Sequence, residues 1–213
     1  MRAYSPWVVS EGRPNVSTLD AFVRSPQFAG LKDEELAVAL WRYFSSDTEG
    51  VYHYCPPEDE FRGREIHDII RILNCFGFAI CHIHAHIQAQ AFLAAGYPAR
   101  IACITGHEGT EIFYDGGWHY LDCDLKGYSR RHPPEEHIIA SREDMFGDPT
   151  IVSQQKTPST PTYYVPDRPP EYIAKLVATP PEYLRPIDET LHTIDFVLRP
   201  GERLVRYFDH HGK

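Results

Sequence analysis

The sequence has no run of about 18 apolar residues and no cluster of lysine and arginine. A membrane-spanning helix needs about 20 predominantly apolar residues, so no membrane span is predicted. Nucleic-acid binding depends on a basic surface, whereas this chain carries a net charge of −9, so no nucleic-acid partner is expected. The first residues, MRAYSPWVVSEGRP, also lack the apolar segment of a secretory signal.

Cysteine is scarce and odd in number, and no Cys-x-x-Cys pair is present. The 5 cysteines are Cys55, Cys75, Cys81, Cys103 and Cys123. An odd count without a secretory signal indicates reduced thiols and predicts a cytoplasmic location. The Gly-x-Ser-x-Gly motif of many serine hydrolases is absent too, so a thiol is the nucleophile to consider.

The length and composition are those of a folded domain. The chain has 213 residues, and 42% of them are hydrophobic, which is enough for a substantial core. We expect a single domain over residues 1–213. It would have a core at about 64–128, an N-terminal helical segment at 15–50 and a Pro-rich C-terminal segment at 130–213 that wraps the core. The many prolines of that last segment predict loops with short helices at most.

Hydrophobic periodicity predicts two strong helices, at residues 32–44 and 81–95. The second, CHIHAHIQAQAFLAAG, is apolar on both faces and is therefore expected to be central and buried on most sides. A shorter helix is expected after Thr18, a favoured N-cap residue. Residues 45–63 are polar and predict a loop, whereas residues 100–104 predict a strand.

The segment GHEGTEIFYDGGWHYLDCD predicts a β-hairpin. Asp115 and Gly116 form a dipeptide favoured in two-residue type I′ loops. Counting outward from that loop, Gly109 faces Asp122. His107 therefore projects from the same face and is diagonal to Asp122, at about 7–8 Å between backbones. This register predicts contact between the imidazole and the carboxylate.

Cys81 opens the second strong helix. A thiol at a helix N-terminus feels the positive end of the helix dipole, which lowers its pKa and stabilises the thiolate. A thiol nucleophile also needs a base, and the base needs an orienting acceptor. Cys81, His107 and Asp122 supply these three groups in chain order and are the candidate catalytic residues.

Residues 74–125 resemble the transglutaminase-like superfamily, which has a papain-like core. The matching motifs are a cysteine followed after three residues by a small one (CHIHA), a helix ending in GYPAR, a histidine with an acid four positions later (HEGTE) and a Trp-x-x-x-Asp ending (WHYLD). The preceding LNCFGFAIC is similar to the entry segment of bacterial transglutaminase-like proteins of unassigned substrate.

This resemblance implies an α+β fold in which a central helix carrying Cys81 packs on an antiparallel sheet carrying His107 and Asp122. It implies that Cys81 is the nucleophile, that His107 is the general base and acid, and that Asp122 orients the imidazole. The chain departs from the family pattern at Gly109, where the family often has tryptophan.

Two further residues are site candidates. Asn74 precedes Cys81 by seven residues, and its side-chain amide could donate to an oxyanion beside the backbone N–H of Cys81. The alternative role of Asn74 is a helix-end cap. Trp118 could shield the imidazole–carboxylate pair from water. Glu111 is expected to be a solvated strand residue.

These features predict thiol-dependent acyl transfer or amide hydrolysis through a Cys81 thioester, on a peptide or another amide-containing substrate and with no cofactor. Water as the second substrate gives a protease, amidase or deamidase, whereas an amine gives a transglutaminase. We favour hydrolysis because water is always present.

Two alternatives stay open. The first is a non-catalytic domain of the same fold that binds peptide or carbohydrate, with Tyr52, Tyr54, Tyr163 and Tyr164 as the contact surface. The second is a His/Cys metal enzyme, because His82 and His86 are four residues apart on one helix face. No acid lies between these histidines in a His-Glu pattern, and no metal is expected.

Overall fold

The computed structural model describes residues 3–4, 12–46, 49–59, 64–154, 169–187 and 197–198. Within these residues the helices are α1 (Leu19–Val23), α2 (Asp33–Phe44), α3 (Ile69–Arg71), α4 (Cys81–Ala94), α5 (Arg142–Gly147), α6 (Thr150–Ser153) and α7 (Pro170–Val177), with a π-helical turn at Ile72–Phe76. The strands are β1 (Ala3–Tyr4), β2 (Tyr52–His53), β3 (Glu58–Asp59), β4 (Arg64–Glu65), β5 (Phe78–Ala79), β6 (Ala99–Ile104), β7 (His107–Tyr114), β8 (Gly117–Leu121), β9 (Glu182–Leu184) and β10 (Val197–Leu198). The fold is α+β, as the sequence predicts.

The main sheet is antiparallel, with the strand order β8-β7-β6-β9. Strands β7 and β8 form the predicted hairpin, and its register begins with Tyr114 paired with Gly117. The loop residues Asp115 and Gly116 have φ of 48° and 77°, as a type I′ turn requires. Because the strands are antiparallel, the first residue of β7 and the residue that follows β8 lie at the same end of the sheet.

Helix α4 is the centre of the fold because both of its sides are apolar. Its residues from Ile83 to Phe92 are buried. One side packs against β6 and β7, and other sides meet α1 and α2. The hydroxyl of Thr110 on β7 donates to the Ala85 carbonyl of α4 at 3.0 Å, which fixes the helix on the sheet. The predicted central helix is confirmed.

The opposite face of the sheet is covered by α5, α6 and α7. The apolar side chains of this second core include Ala102, Tyr120, Met145, Val152, Ile173 and Val177. Short helices in the Pro-rich region are as predicted where that region is described. Strand β9 was not predicted, and it pairs with β6 at the edge of the sheet.

The predicted loop at residues 45–63 is interrupted by structure that the sequence does not reveal. Strand β2 pairs in parallel with β5, which places His53 opposite Ala79. Two residues are too few to show the alternation that identifies a strand. The pairing matters because β5 leads directly into α4 and so brings His53 close to the start of that helix.

Two remaining expectations concern the predicted contact tyrosines and the membrane. Tyr163 and Tyr164, two of the four predicted contact tyrosines, lie outside the described residues. Within the described ranges, no helix combines the length and the apolar character needed to cross a bilayer.

Candidate functional site

His107 and Asp122 meet at the end of the main sheet. Nε2 of His107 lies 2.7 Å from Oδ2 of Asp122, and both side chains are buried. The carboxylate is held from two other directions, because Oδ1 accepts the Leu125 N–H at 2.8 Å and Oδ2 accepts the Tyr120 hydroxyl at 2.9 Å. The carbonyl of Asp122 accepts the indole N–H of Trp41 at 2.9 Å. The orientation of the imidazole is therefore set on its Nε2 side, and Nδ1 faces away from Asp122.

Cys81 lies at the first residue of α4 and is partly exposed. Burial is the largest influence on its pKa and raises it. Hydrogen bonds from His107 and His82 outweigh burial and lower the pKa of Cys81 to about 6. A ring nitrogen of His107 lies within 4.8 Å of the Cys81 sulfur. The thiol and the imidazole are therefore neighbours.

The electrostatics of His107 match those of the thiol. Burial lowers the pKa of His107, but the charge of Asp122, its hydrogen bond and the hydrogen bond to Cys81 raise the pKa to about 10. A thiol with a lowered pKa beside an imidazole with a raised pKa favours the thiolate–imidazolium pair. This is the charge state in which a cysteine is nucleophilic near neutral pH.

His82 provides a second imidazole at the thiol. Its Nε2 lies 2.7 Å from Oε2 of Glu65, which belongs to β4. The hydrogen bond to Cys81 is the largest influence on the pKa of His82, and together with Glu65 it raises that pKa to about 9 against the effect of burial. The sequence indicates this neighbour only by adjacency, since His82 directly follows Cys81.

Asp124 is a second buried carboxylate that the sequence analysis missed. Its carboxylate contacts Nδ1 of His53, and its Oδ1 lies 3.1 Å from Nδ1 of His84. Its Oδ2 lies 3.8 Å from Nδ1 of His107. Burial raises the pKa of Asp124, but the neighbouring imidazoles of His53 and His84 hold that pKa well below the usual range. Asp124 lies in the turn at 123–126, between the bridged residues Asp122 and Gly127, so no strand or helix period relates it to the site.

The side-chain amide of Asn74 donates to two backbone carbonyls, whereas an oxyanion donor needs a free N–H beside Cys81. Nδ2 of Asn74 donates to the carbonyl of Val16 at 2.7 Å and to that of Ile70 at 2.8 Å. Both N–H groups of the amide are therefore used inside the protein. The side chain joins the π-helical turn to the N-terminal segment, which is closer to the helix-cap alternative than to an oxyanion donor.

Trp118 also has other partners. Its ring packs at 5.3 Å from that of Phe113, and the guanidinium of Arg100 lies 4.1 Å over it. Tyr120, two residues further along β8, is the aromatic residue that reaches the Asp122 carboxylate. Gly109 makes room for this ring, because a Cβ at that position would lie 2.2 Å from the Tyr120 hydroxyl. The departure from the family pattern at Gly109 thus has a steric reason.

The expectation that Glu111 is solvated is wrong. Its side chain is 0% exposed, and its carboxylate accepts Nε–H of Arg100 at 2.7 Å and the backbone N–H of Arg142 at 2.6 Å. The sheet is covered on both faces, so alternation along β7 does not separate solvated from buried positions. Glu111 is a structural ion-pair residue of the second core.

The proposed metal ligands His82 and His86 do not converge. Nδ1 of His86 accepts the backbone N–H of Ile187 at 2.9 Å, and His82 is bonded to Glu65. Burial, with the nearby His67 and His82, lowers the pKa of His86 to about 4. Within the described residues, three groups of side chains have donor atoms within 4.8 Å of one another: Glu65, His67 and His82; His53, His84 and Asp124; Cys81, His107 and Asp124.

No family model and no curated protein matches this chain. Among solved structures, the chain is similar to the periplasmic domain of TgpA from Pseudomonas aeruginosa, in a structure of that domain bound to ethylmercury. The sequence identity is 22% and the TM-score is 0.40. The match covers 56% of this chain and 46% of that one, so it spans about half of each.

The predicted cytoplasmic location is contradicted by this comparison, because the similar structure is a periplasmic domain. The prediction depended on an odd count of cysteines. All five cysteines are free thiols in the structure: Cys55, Cys75, Cys81, Cys103 and Cys123. Unpaired thiols do not by themselves select a compartment, and the prediction is withdrawn.

Proposed function

We propose that this chain is a cysteine hydrolase of the transglutaminase-like type, which cleaves an amide bond through a Cys81 thioester. One observation carries the proposal. A partly exposed thiol lies within 4.8 Å of a buried imidazole, and that imidazole is hydrogen-bonded to a buried carboxylate where α4 meets the sheet. The residues 74–125 that resemble this superfamily are those that build the arrangement.

In the first half of the reaction, the Cys81 thiolate attacks the carbonyl carbon of the amide. Negative charge develops on the carbonyl oxygen, and the backbone N–H of Cys81 at the start of α4 is placed to receive it. The N-cap residue, Ile80, has no polar side chain with which to occupy the N–H groups of the first turn. The imidazolium of His107 then protonates the leaving nitrogen, the C–N bond breaks and a thioester remains.

In the second half, His107 is neutral and acts as the base. It takes a proton from water as the water oxygen attacks the thioester carbonyl. The C–S bond breaks, the acid product leaves and the thiolate–imidazolium pair is restored. The amine that a transglutaminase would use enters at this same step. We propose water as the second substrate because it is always present at a partly exposed thiol.

Asp122 acts through His107. With Nε2–H of His107 donated to Asp122, only Nδ1 is left to exchange a proton with sulfur and substrate. The carboxylate also stabilises the imidazolium, which must persist until the leaving nitrogen is protonated. Tyr120 and the Leu125 N–H hold the carboxylate so that one ring orientation serves both half-reactions.

The proposal is tested by trapping the acyl-enzyme. The purified chain is mixed with an activated acyl ester, p-nitrophenyl acetate, and quenched in acid, and the acetyl group is located by peptide mass spectrometry. We expect a burst of nitrophenol and an acetyl group on Cys81. The burst should be absent from Cys81→Ala and should persist in the matched control Cys55→Ala, which removes an exposed thiol outside the proposed triad.

A folded protein that acetylates Cys81 no faster than Cys55 would contradict the enzyme proposal. The alternative of a non-catalytic peptide-binding domain would then stand. If the burst is present, glutamine- and asparagine-containing peptides are assayed for released ammonia and for new amine termini. These two products distinguish a deamidase from a protease.

A further inference from the structure

A second polar cluster lies beside the proposed nucleophile and has no part in the acyl chemistry described above. It consists of His53, His84 and Asp124. We propose that these three side chains bind a divalent first-row transition-metal ion, for which zinc is the probe. The proposal goes beyond the proposed function and does not depend on it.

The hydrogen-bond partner of His84 shows which of its ring nitrogens carries the proton. Its Nε2 lies 3.0 Å from the carbonyl oxygen of Val51. A carbonyl oxygen can only accept, so Nε2 carries the proton, and in the neutral ring Nδ1 is left with a lone pair. The ring is 1% exposed, and Nδ1 has no hydrogen-bond partner within the described residues. A buried nitrogen lone pair is costly to leave unpaired.

The lone pair on Nδ1 of His84 faces the carboxylate of Asp124. Oδ1 of Asp124 lies 3.1 Å from Nδ1 of His84, and it too is an acceptor. Nδ1 of His53 contacts the same oxygen from the solvent side. His53 can donate a proton to this oxygen, but the Nδ1 lone pair of His84 still faces the carboxylate, and two buried acceptors repel one another unless a cation lies between them. A metal ion supplies that cation and takes all three donor atoms.

The donor set and its spacing suit such an ion. The three donor atoms lie within 4.8 Å of one another. Ligands at about 2.0–2.1 Å from a tetrahedral zinc ion are about 3.3 Å apart, which is close to the 3.1 Å between Nδ1 of His84 and Oδ1 of Asp124. Two imidazoles and one carboxylate favour first-row divalent metals over calcium or magnesium. The side chain of His53 is 48% exposed, which gives the ion a path from solvent and leaves room for a water ligand.

The surroundings of His84 are also those of a metal ligand. Histidines that bind metals with one ring nitrogen usually donate the other N–H to a carboxylate or a backbone carbonyl, which fixes the tautomer. The bond from His84 to Val51 is of this kind. The fold also positions the other two ligands. His53 is the last residue of β2, which pairs with β5, and Asp124 follows Asp122 by two residues.

A rival cluster, Glu65, His67 and His82, lacks the unpaired atom. There the 2.7 Å hydrogen bond between His82 and Glu65 already satisfies both groups. Glu65 is also on the surface, so its charge is solvated. The rival cluster therefore serves as the internal control for the experiment.

The test uses the full chain after removal of metals with EDTA, titrated with zinc chloride in a calorimeter. We expect one zinc ion per chain. His84→Gln should weaken binding roughly tenfold or more. Glutamine can still donate to the Val51 carbonyl from a position near that of Nε2, but it has no atom at Nδ1. Asp124→Asn should weaken binding similarly, whereas the matched control His67→Gln should bind zinc as the wild type does.

A second measurement keeps the test valid if the buried variants do not fold. Cobalt(II) replaces zinc, and its visible absorption reports a low-coordinate site of nitrogen and oxygen ligands. The intensity should be lost in His53→Ala, where a half-exposed ring is removed. Absence of zinc binding by the wild type would overturn the proposal and leave a buried ion pair between His84 and Asp124. Equal binding by His84→Gln, or loss of binding in His67→Gln, would overturn it as well.

Discussion

Two buried polar clusters lie on the main sheet, and they differ in where their networks of polar contacts end. Around Glu111, the carboxylate accepts from Arg100 and from the Arg142 backbone. The guanidinium of Arg142 donates to the carbonyls of Cys103 at 2.9 Å, Val177 at 2.8 Å and Thr179 at 2.5 Å. Around His107, the network instead ends at a partly exposed thiol and at an unpaired buried nitrogen.

The difference indicates which cluster stabilises the fold and which can react with or bind an external group. In a closed network, such as that around Glu111, the polar groups bond to one another and hold helices and strands together. Removing one member leaves the others buried and unpaired. An open network leaves a nucleophile, or a lone pair, for an external group. Burial alone does not distinguish the two, because Glu111 and Asp122 are equally inaccessible. The partly exposed thiol at the end of the His107 network does.

The largest effect is expected from breaking the closed cluster. Arg142→Met keeps much of the side-chain volume but leaves one buried and two partly buried carbonyls without this donor. We expect the free energy of unfolding to fall by about 3–5 kcal/mol, as measured by urea denaturation. The matched control is Arg131→Met, whose partially exposed guanidinium pairs with Asp144 and Glu135. It should cost about 1 kcal/mol or less. Equal losses in the two variants would remove the distinction between a closed cluster and a surface pair.

The next effect is the reactivity of the open cluster. At pH 6 about half of Cys81 is thiolate if its pKa is about 6, against well under a hundredth of an ordinary cysteine with a pKa of about 8.5. Lower basicity reduces the gain, and we expect roughly tenfold faster alkylation of Cys81 than of an unperturbed thiol. Limiting iodoacetamide followed by peptide mass spectrometry measures this. Preferential labelling of Cys103, whose pKa burial raises to about 11, would contradict the site assignment.

The third effect is a shift in the pH profile of that alkylation. The rate rises as pH increases through the pKa of Cys81, because only the thiolate reacts. In Asp122→Asn the imidazolium of His107 loses its carboxylate and deprotonates at lower pH, so the thiolate loses its positive partner. The pKa of Cys81 should then rise by about one unit, measured in EDTA so that no metal contributes. An unchanged profile in a folded variant would make Asp122 a structural residue of the hairpin.

The smallest effect concerns the support of the carboxylate. Tyr120→Phe removes one hydrogen bond to Asp122 and leaves the ring against Gly109. We expect a loss of about 1 kcal/mol in unfolding free energy and a shift of the alkylation profile in the same direction as Asp122→Asn but smaller. Both are measured as above. A larger shift than that of Asp122→Asn would mean that the hydroxyl, rather than the carboxylate, orients His107.

The sequence by itself determined the parts of the protein that depend on neighbours along the chain. The apolar pattern of α4 placed Cys81 at a helix start and placed the helix in the core. The Asp115-Gly116 loop set the hairpin register, and that register carried His107 to Asp122. These features are local, because helix periodicity and turn chemistry relate residues a few positions apart. The order of thiol, imidazole and carboxylate therefore followed from the sequence alone.

Only the tertiary structure decided which other polar residues join them. His53 meets Asp124 across 71 positions of the chain, and its strand is two residues long. The alternation of residues along β7 is compatible with a solvated Glu111, yet the helices that follow β8 bury it. Asn74 bonds to Val16, which lies 58 positions away, and Arg100 of another strand lies over the ring of Trp118. Such contacts depend on which surfaces pack together over the whole core, and periodicity within one segment does not encode that choice.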